Sequence, residues 1–134
     1  MSFDADTLQA WAQAAEVEIE TSRGTDAPVH RTVIWIVVDA DQAYVRSVRG
    51  PRGRWYREIV ANPHGAVHLG GRRVPVAARP ANDPATVARV SELLSRKYQD
   101  RWPGPTAAML RDEVLPTTLR LSPETPDTLK TNAW

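Results

Sequence analysis

The sequence predicts an α+β fold in which short antiparallel strands close, wholly or half-way, into a small barrel flanked by helices. Three observations lead there. Short apolar runs rich in β-branched residues recur along the chain, most clearly TVIWIVV from Thr32 to Val38. Polar or glycine turns join such runs in pairs, with Asp39-Ala40-Asp41-Gln42 after this one and Gly70-Gly71 after a later one. Helical periods are too few to cover both faces of an open sheet.

Taken in order, Asp4 or Asp6 can cap a first helix of three to four turns, in which Leu8, Trp11, Ala12, Ala15 and Ile19 recur at helical spacing. Glu16, Glu18 and Glu20 alternate with Val17 and Ile19, so the period switches to two and a strand runs through Thr21. Arg23 to Pro28 is a turn. Thr32 to Val38 reads as a strand covered on both faces, and Ala43 to Val48 as its hairpin partner. A helix opens at Trp55, continues through Ile59 and Val60, and is stopped by Asn62-Pro63. Gly65 to Leu69 and Arg73 to Arg79 form two further strands. Asp83-Pro84 starts a helix, an N-cap carboxylate followed by a proline whose missing N–H costs nothing there. Val87, Val90, Leu94 and Tyr98 give that helix its buried stripe. After Trp102-Pro103-Gly104-Pro105 come a short helix around Met109 and a last strand from Thr117 to Leu121.

The chain has 134 residues, 42% of them apolar, which suits one core and a single domain over residues 1–134. The absence of cysteine excludes disulfide staples, thiol catalysis and thiolate zinc sites. No apolar run approaches the ~18 residues of a membrane helix and no basic-apolar leader opens the chain, so a cytoplasmic protein is the default expectation. Arginine outnumbers lysine fifteen to two, a bias of GC-rich bacterial genomes.

Charge is where the sequence speaks most clearly. The net charge is only +1, yet Arg46, Arg49, Arg52, Arg54 and Arg57 crowd into a segment free of acids. A local positive field implies a local anionic partner. Ser47, Arg49, Gly50, Arg52, Gly53 and Arg54 bring a hydroxyl, guanidinium forks and exposed amides together, the donor set a phosphate requires. Trp35 and Trp55 could line an apolar slot for a flat ring. The plainer readings stay open beside these: a solvated basic loop, and a Trp35 that is simply core. The histidines, His30, His64 and His68, show no metal-ligand spacing, and no nucleophile elbow, P-loop or GxGxxG motif occurs. No catalytic residue and no metal ligand is assigned. Asp39 and Asp41 fall in a hairpin, where turn chemistry explains them.

The run HRTVIW, a polar hairpin, VRS, a basic glycine loop and a helix ending in Asn62-Pro63 resemble the split β-barrel flavin and deazaflavin oxidoreductases, the pyridoxamine phosphate oxidase-like superfamily. The resemblance covers residues 15 to 80 well and the rest by element order. Many members carry Thr-Pro-hydrophobic-Trp on the first hairpin strand; this chain has Thr32-Val33-Ile34-Trp35. Members place a serine or threonine at the end of the second strand and a basic residue at the start of the next helix, both on the cofactor phosphate. Ser47 and Arg54 stand at those positions, arginine replacing the commoner lysine.

The resemblance implies a split β-barrel of the FMN-binding type with flanking helices, and a cofactor site drawn from His30, Thr32, Ile34, Trp35, Arg46, Ser47, Val48, Arg49, Gly50, Arg52, Arg54 and Trp55. FMN or the 8-hydroxy-5-deazaflavin coenzyme is the implied cofactor, with haem or a bilin also known in the superfamily. Such a cofactor carries the reaction itself, so a missing acid–base signature is no argument against an oxidoreductase of the nitroreductase kind. A homodimer is implied too, with Trp11, Trp102 and Trp134 as candidate exposed anchors. Two other classes stand beside the oxidoreductase. One is a non-catalytic binder of a phosphorylated cofactor. The other is a single-stranded nucleic-acid module, suggested by arginines interleaved with Trp55 and Tyr56 and opposed by the near-zero net charge.

Overall fold

Residues 2–124 are described in a computed structural model of the chain. Seven strands form one antiparallel sheet: β1 (Val17–Ser22), β2 (Val29–Ile34), β3 (Val37–Asp39), β4 (Gln42–Val45), β5 (His64–Leu69), β6 (Arg72–Pro80) and β7 (Leu119–Pro123). Their order across the sheet is β2-β1-β5-β6-β7-β4-β3. β2 and β3 thus lie at opposite edges, yet only Trp35 and Ile36 separate them in the chain. Three Cα steps span at most about 11 Å, whereas six interstrand spacings of about 4.8 Å would hold the edges of a flat sheet about 29 Å apart. The sheet must therefore curl until its edges approach one another. The result is the α+β split barrel that the sequence predicted.

Alternation places Val17 and Ile19 of β1, Val67 of β5, Val76 and Ala78 of β6, and Leu119 and Leu121 of β7 in one buried cluster inside the curl. The β5–β6 turn needs two positive φ angles, and Gly70 (58°) and Gly71 (79°) supply them. Gly65 is required for a different reason. A Cβ on it would collide with the Glu20 carbonyl across the β1–β5 ladder.

Four helices flank the barrel: α1 (Ala5–Gln13), α2 (Arg54–Ala61), α3 (Pro84–Tyr98) and α4 (Pro103–Met109). Asp4 caps α1 by accepting from the Thr7 amide at 2.7 Å, and Asp83 caps α3 by accepting from that of Thr86 at 3.1 Å. Trp11 of α1 and Trp55 and Ile59 of α2 close onto the barrel core. On the outside of the β3–β4 hairpin, Val90, Leu94 and Tyr98 of α3 and Met109 of α4 pack on Val37 and Tyr44.

Several expectations change. The first helix ends at Gln13, so Ala15 and Ile19 lie beyond it and Ile19 sits on β1. The run Thr32–Val38 is two strands. At the break Trp35 stacks on Tyr98, with ring centroids 3.8 Å apart. The Ile36 carbonyl accepts from Lys97 Nζ at 2.8 Å and Tyr98 Oη at 3.4 Å, so α3 side chains occupy an acceptor that a continuing ladder would use. Nor is β2 covered on both faces: it is an edge strand, with Val29 61% and Val33 54% exposed. Trp11 is 2% exposed and packs edge-on against Phe3, so it is core and no anchor. Trp102 is half-buried against Trp35 and Tyr98. Trp134 lies outside the described residues. The last strand starts at Leu119, after a 3-10 turn at Leu115–Thr117.

Candidate ligand-binding cavity

A cavity of about 920 Å³ opens where β2, the segment after β4, the start of α2 and the α3–α4 connection meet. That volume lies within the range of small-molecule sites, about 300–1,000 Å³. Its walls are mainly apolar: Val33, Ile34, Trp35, Val48, Trp55, Trp102, Pro105 and Met109. Thr32, Arg46, Ser47, Arg49, Gly53 and Arg54 add polar groups, and Ala15 and Glu16 close the remaining side.

The segment from Arg46 to Arg54 is held by its own hydrogen bonds. Ser47 donates its amide to Thr117 Oγ1 at 3.0 Å and its hydroxyl to the Gly50 carbonyl at 2.8 Å. Gly50, at φ +67°, makes the reversal that starts the 3-10 turn Gly50–Arg52. Gly53 then donates to the Gly50 carbonyl and leads into α2, whose first turn no side chain caps. The loose amides and the dipole of that helix end favour an anion.

The arginines divide into two kinds. Arg46 is 1% exposed and donates to Thr118 Oγ1, Ser91 Oγ and the carbonyls of Met109 and Val87, all between 2.9 and 3.1 Å. It therefore bolts β4 to α3, α4 and the approach to β7. Burial pulls its pKa down to about 10, which leaves it charged at neutral pH. Arg49, Arg52, Arg54 and Arg57 are exposed and form no ion pair among the described residues, unlike Arg31, Arg73 and Arg89, which pair with carboxylates. Of these four, Arg49 and Arg54 line the cavity.

Nine of the twelve expected residues thus meet at one cavity: Thr32, Ile34, Trp35, Arg46, Ser47, Val48, Arg49, Arg54 and Trp55. Three do not line it. His30 sets its Nδ1 2.9 Å from Glu58 Oε2, and Thr21 donates to the same carboxylate at 2.7 Å. Burial raises the Glu58 carboxyl, but these hydrogen bonds together with the charges of His30 and Arg54 outweigh it and hold the group below its usual range. Gly50 is buried in the turn, and Arg52 points from the surface beside it. Sequence reasoning missed Ala15, Glu16, Val33, Trp102, Pro105 and Met109 as lining. Only the proline-rich break at Trp102–Pro105 hinted at them. Thr32 Oγ1 is buried without a hydrogen-bond partner, one of two such side-chain atoms among the described residues. Also among those residues, no group of three or more His, Cys, Asp or Glu side chains could hold a metal ion, and no helix is long and apolar enough to cross a membrane.

Residues 7–121 match the family model described as "Uncharacterized protein conserved in bacteria (DUF2255)". The chain belongs to this family. No curated protein matches it. Solved structures give this DUF2255 member its fold relatives. The conserved hypothetical protein Rv2991 from Mycobacterium tuberculosis superposes with a TM-score of 0.65 at 14% identity, over 93% of this chain and 82% of that one. A candidate pyridoxamine 5'-phosphate oxidase from Listeria innocua gives 0.63 at 18% identity, over 90% and 92%. The F420-H2-dependent reductase FDR-A gives 0.60 at 15% identity, over 81% and 94%. The DUF2255 chain thus shares the split β-barrel fold of these structures.

Proposed function

We propose that the cavity holds a flavin or deazaflavin cofactor and that the protein is an oxidoreductase of small organic substrates. The observation that carries this reading is that Arg49 and Arg54, two exposed guanidinium groups that form no ion pair among the described residues, line the same cavity as the uncapped start of α2. Such a wall suits a phosphate. Next to it lies an apolar slot formed by Ile34, Val48 and Trp55, suited to a flat ring. The orphaned Thr32 hydroxyl fits the ring's polar edge, because a buried hydroxyl without a partner favours a ligand that supplies one.

A bound flavin or deazaflavin supplies hydride transfer; the chain's own residues bind and orient it and keep water off one ring face. Arg46 and Ser47 serve indirectly, since their hydrogen bonds are committed to holding the loop that presents Arg49 and Arg54. A second copy of the chain is the proposed cover for the cavity mouth. Val33 (54% exposed) and Val48 (42%) line the cavity, and Val29 (61%) stands further along the same face of β2 with the Glu18-paired Arg31 between the two valines, so the mouth has an exposed apolar rim beside an ion pair on a sheet edge. An exposed apolar edge strand is a liability unless it is covered.

Titration of the purified protein with FMN and with the deazaflavin coenzyme, followed by ring fluorescence, tests the proposal. Saturable binding of one of them, followed by turnover with a hydride donor, is the expected result. Binding without turnover across donors and acceptors would leave a cofactor carrier. No binding of either overturns the reading.

A further inference from the structure

We infer that the aromatic end of the cavity is a subsite for a flat, negatively charged ring of the aromatic carboxylate class, with Arg46 and Lys97 supplying the charge that selects it. The inference rests on the proposed function in that it names the class of the second molecule in the same cavity.

Flat apolar walls meet at this end. Trp35, Trp102, Pro105 and Met109 line it, and the Trp35 and Trp102 ring centroids are 6.2 Å apart. The charges around them are positive. Arg46 lines the same cavity and is tied to this end by its bond to the Met109 carbonyl at 3.0 Å. Of the five N–H groups of a guanidinium, four of those on Arg46 find neutral acceptors, two hydroxyls and two carbonyls, and one on Nη2 finds none. Lys97 Nζ lies 5.1 Å from the centre of the Tyr98 ring, which stacks on Trp35 at 3.8 Å, and the Arg101 guanidinium lies 5.0 Å from the Trp102 ring. The Lys97 ammonium donates to the carbonyls of Trp11 and Ile36. Burial pulls its pKa down to about 8, which leaves it mostly charged at neutral pH. None of these three cations pairs with a carboxylate among the described residues.

A charge held away from water keeps its reach, because little screens it. Arg46 is 1% exposed, whereas Glu16, the one carboxylate on the cavity wall, stands in solvent. The field at the aromatic end is therefore positive. Buried charges are normally paired, and the phosphate proposed at Arg49 and Arg54 already has two cations of its own. A tryptophan engaged by one cation offers little to a second, while its flat surface still stacks on a ring. An aromatic carboxylate meets both conditions, with its ring between the tryptophans and its anionic group towards Arg46.

The test is calorimetry on the FMN-saturated, full-length protein with three rings of one shape: 2-naphthoate, 2-naphthamide and 2-naphthamidinium. Naphthoate should bind about tenfold more tightly than naphthamide or better, and naphthamidinium most weakly. The preference should survive about 0.5 M salt, because the selecting charges are held out of solvent. Lys97→Gln, which keeps an N–H donor, should lower the preference about threefold or more while binding FMN as the parent does, which also shows that it is folded. Trp102→Ala should weaken all three rings. Equal affinity for naphthoate and naphthamide overturns the inference, as does a preference that is lost in salt or unchanged in Lys97→Gln. Release of FMN by naphthoate overturns it too, since the anion would then sit on Arg49 and Arg54. A parent that binds no FMN overturns the cofactor reading; the anion subsite then stands if the naphthoate preference persists in the Arg49→Ala, Arg54→Ala double variant and falls if it does not.

Discussion

Ser47 occupies the space beside Gly53: a Cβ on Gly53 would lie 2.6 Å from Ser47 Oγ, closer than any carbon tolerates. The basic loop is therefore shaped by this contact as much as by charge. Gly53→Ala should destabilise the fold by about 1–3 kcal/mol through overpacking and should weaken cofactor binding with it. Ser47→Ala alone should cost about 1 kcal/mol for the lost bond to the Gly50 carbonyl. The double variant should be more stable than the sum of the two predicts, because the obstructing oxygen is gone. Urea denaturation of the four proteins measures the coupling; strict additivity would contradict the packing argument.

Arg46 should matter more to stability than to binding. Arg46→Met leaves the carbonyls of Val87 and Met109 and two hydroxyls without their donor. Each orphaned buried group costs about 1–3 kcal/mol, so a loss of at least ~3 kcal/mol is expected. Lysine cannot reach four acceptors on three elements, so Arg46→Lys should recover only a minor part. Near-parental urea midpoints for either variant would show that the bolt is dispensable.

Acid should weaken the fold through Glu20. Hydrogen bonds from Arg73 lower its carboxyl from 4.5 to about 2; burial opposes them and His68 adds to them. The folded pKa is below the unfolded one. Its stabilisation is therefore complete above about pH 5 and fades as pH falls towards 2. Its full size is on the order of 2 kcal/mol once partial exposure is discounted. The stability gap between parent and Glu20→Gln should thus shrink between pH 5 and pH 2, read by thermal unfolding across that range. A constant gap would contradict it.

What the sequence made legible follows from range. The Gly70-Gly71 hairpin, the Asp83-Pro84 helix start and the Asn62-Pro63 stop all depend on neighbours within a few residues, and each stands where expected. Nine expected residues share the cavity because β2, the hairpin and α2 are consecutive in the chain. The break at Trp35–Ile36 was hidden inside a continuous apolar run, since its cause is a stack on Tyr98 far along the chain. The role of Arg46 was hidden for the same reason: its partner Thr118 is 72 residues away. Local pattern marks an arginine as charged but not as already bonded.

Assembly should respond to the β2 face. Val33→Glu places a charge on the exposed apolar rim formed by Val33 and Val48 and should shift a dimer to monomer in light scattering at micromolar concentration, leaving the far-ultraviolet dichroism unchanged. A parent that is already monomeric with cofactor bound would remove the proposed cover.

The central claim is that Arg49 and Arg54 hold the phosphate of a flat-ring cofactor. Its most direct test is a salt series of FMN and deazaflavin binding in the parent, Arg49→Ala and Arg54→Ala, with a single-stranded oligonucleotide titrated alongside. Each substitution should weaken cofactor binding about ten- to a hundredfold, the loss of a charge-assisted hydrogen bond, with the fold intact. Parental cofactor binding should survive about 0.5 M salt, while oligonucleotide binding collapses well below that concentration. Tight, salt-sensitive oligonucleotide binding, with neither cofactor bound by the parent, would contradict the account and make the arginine loop a nucleic-acid contact.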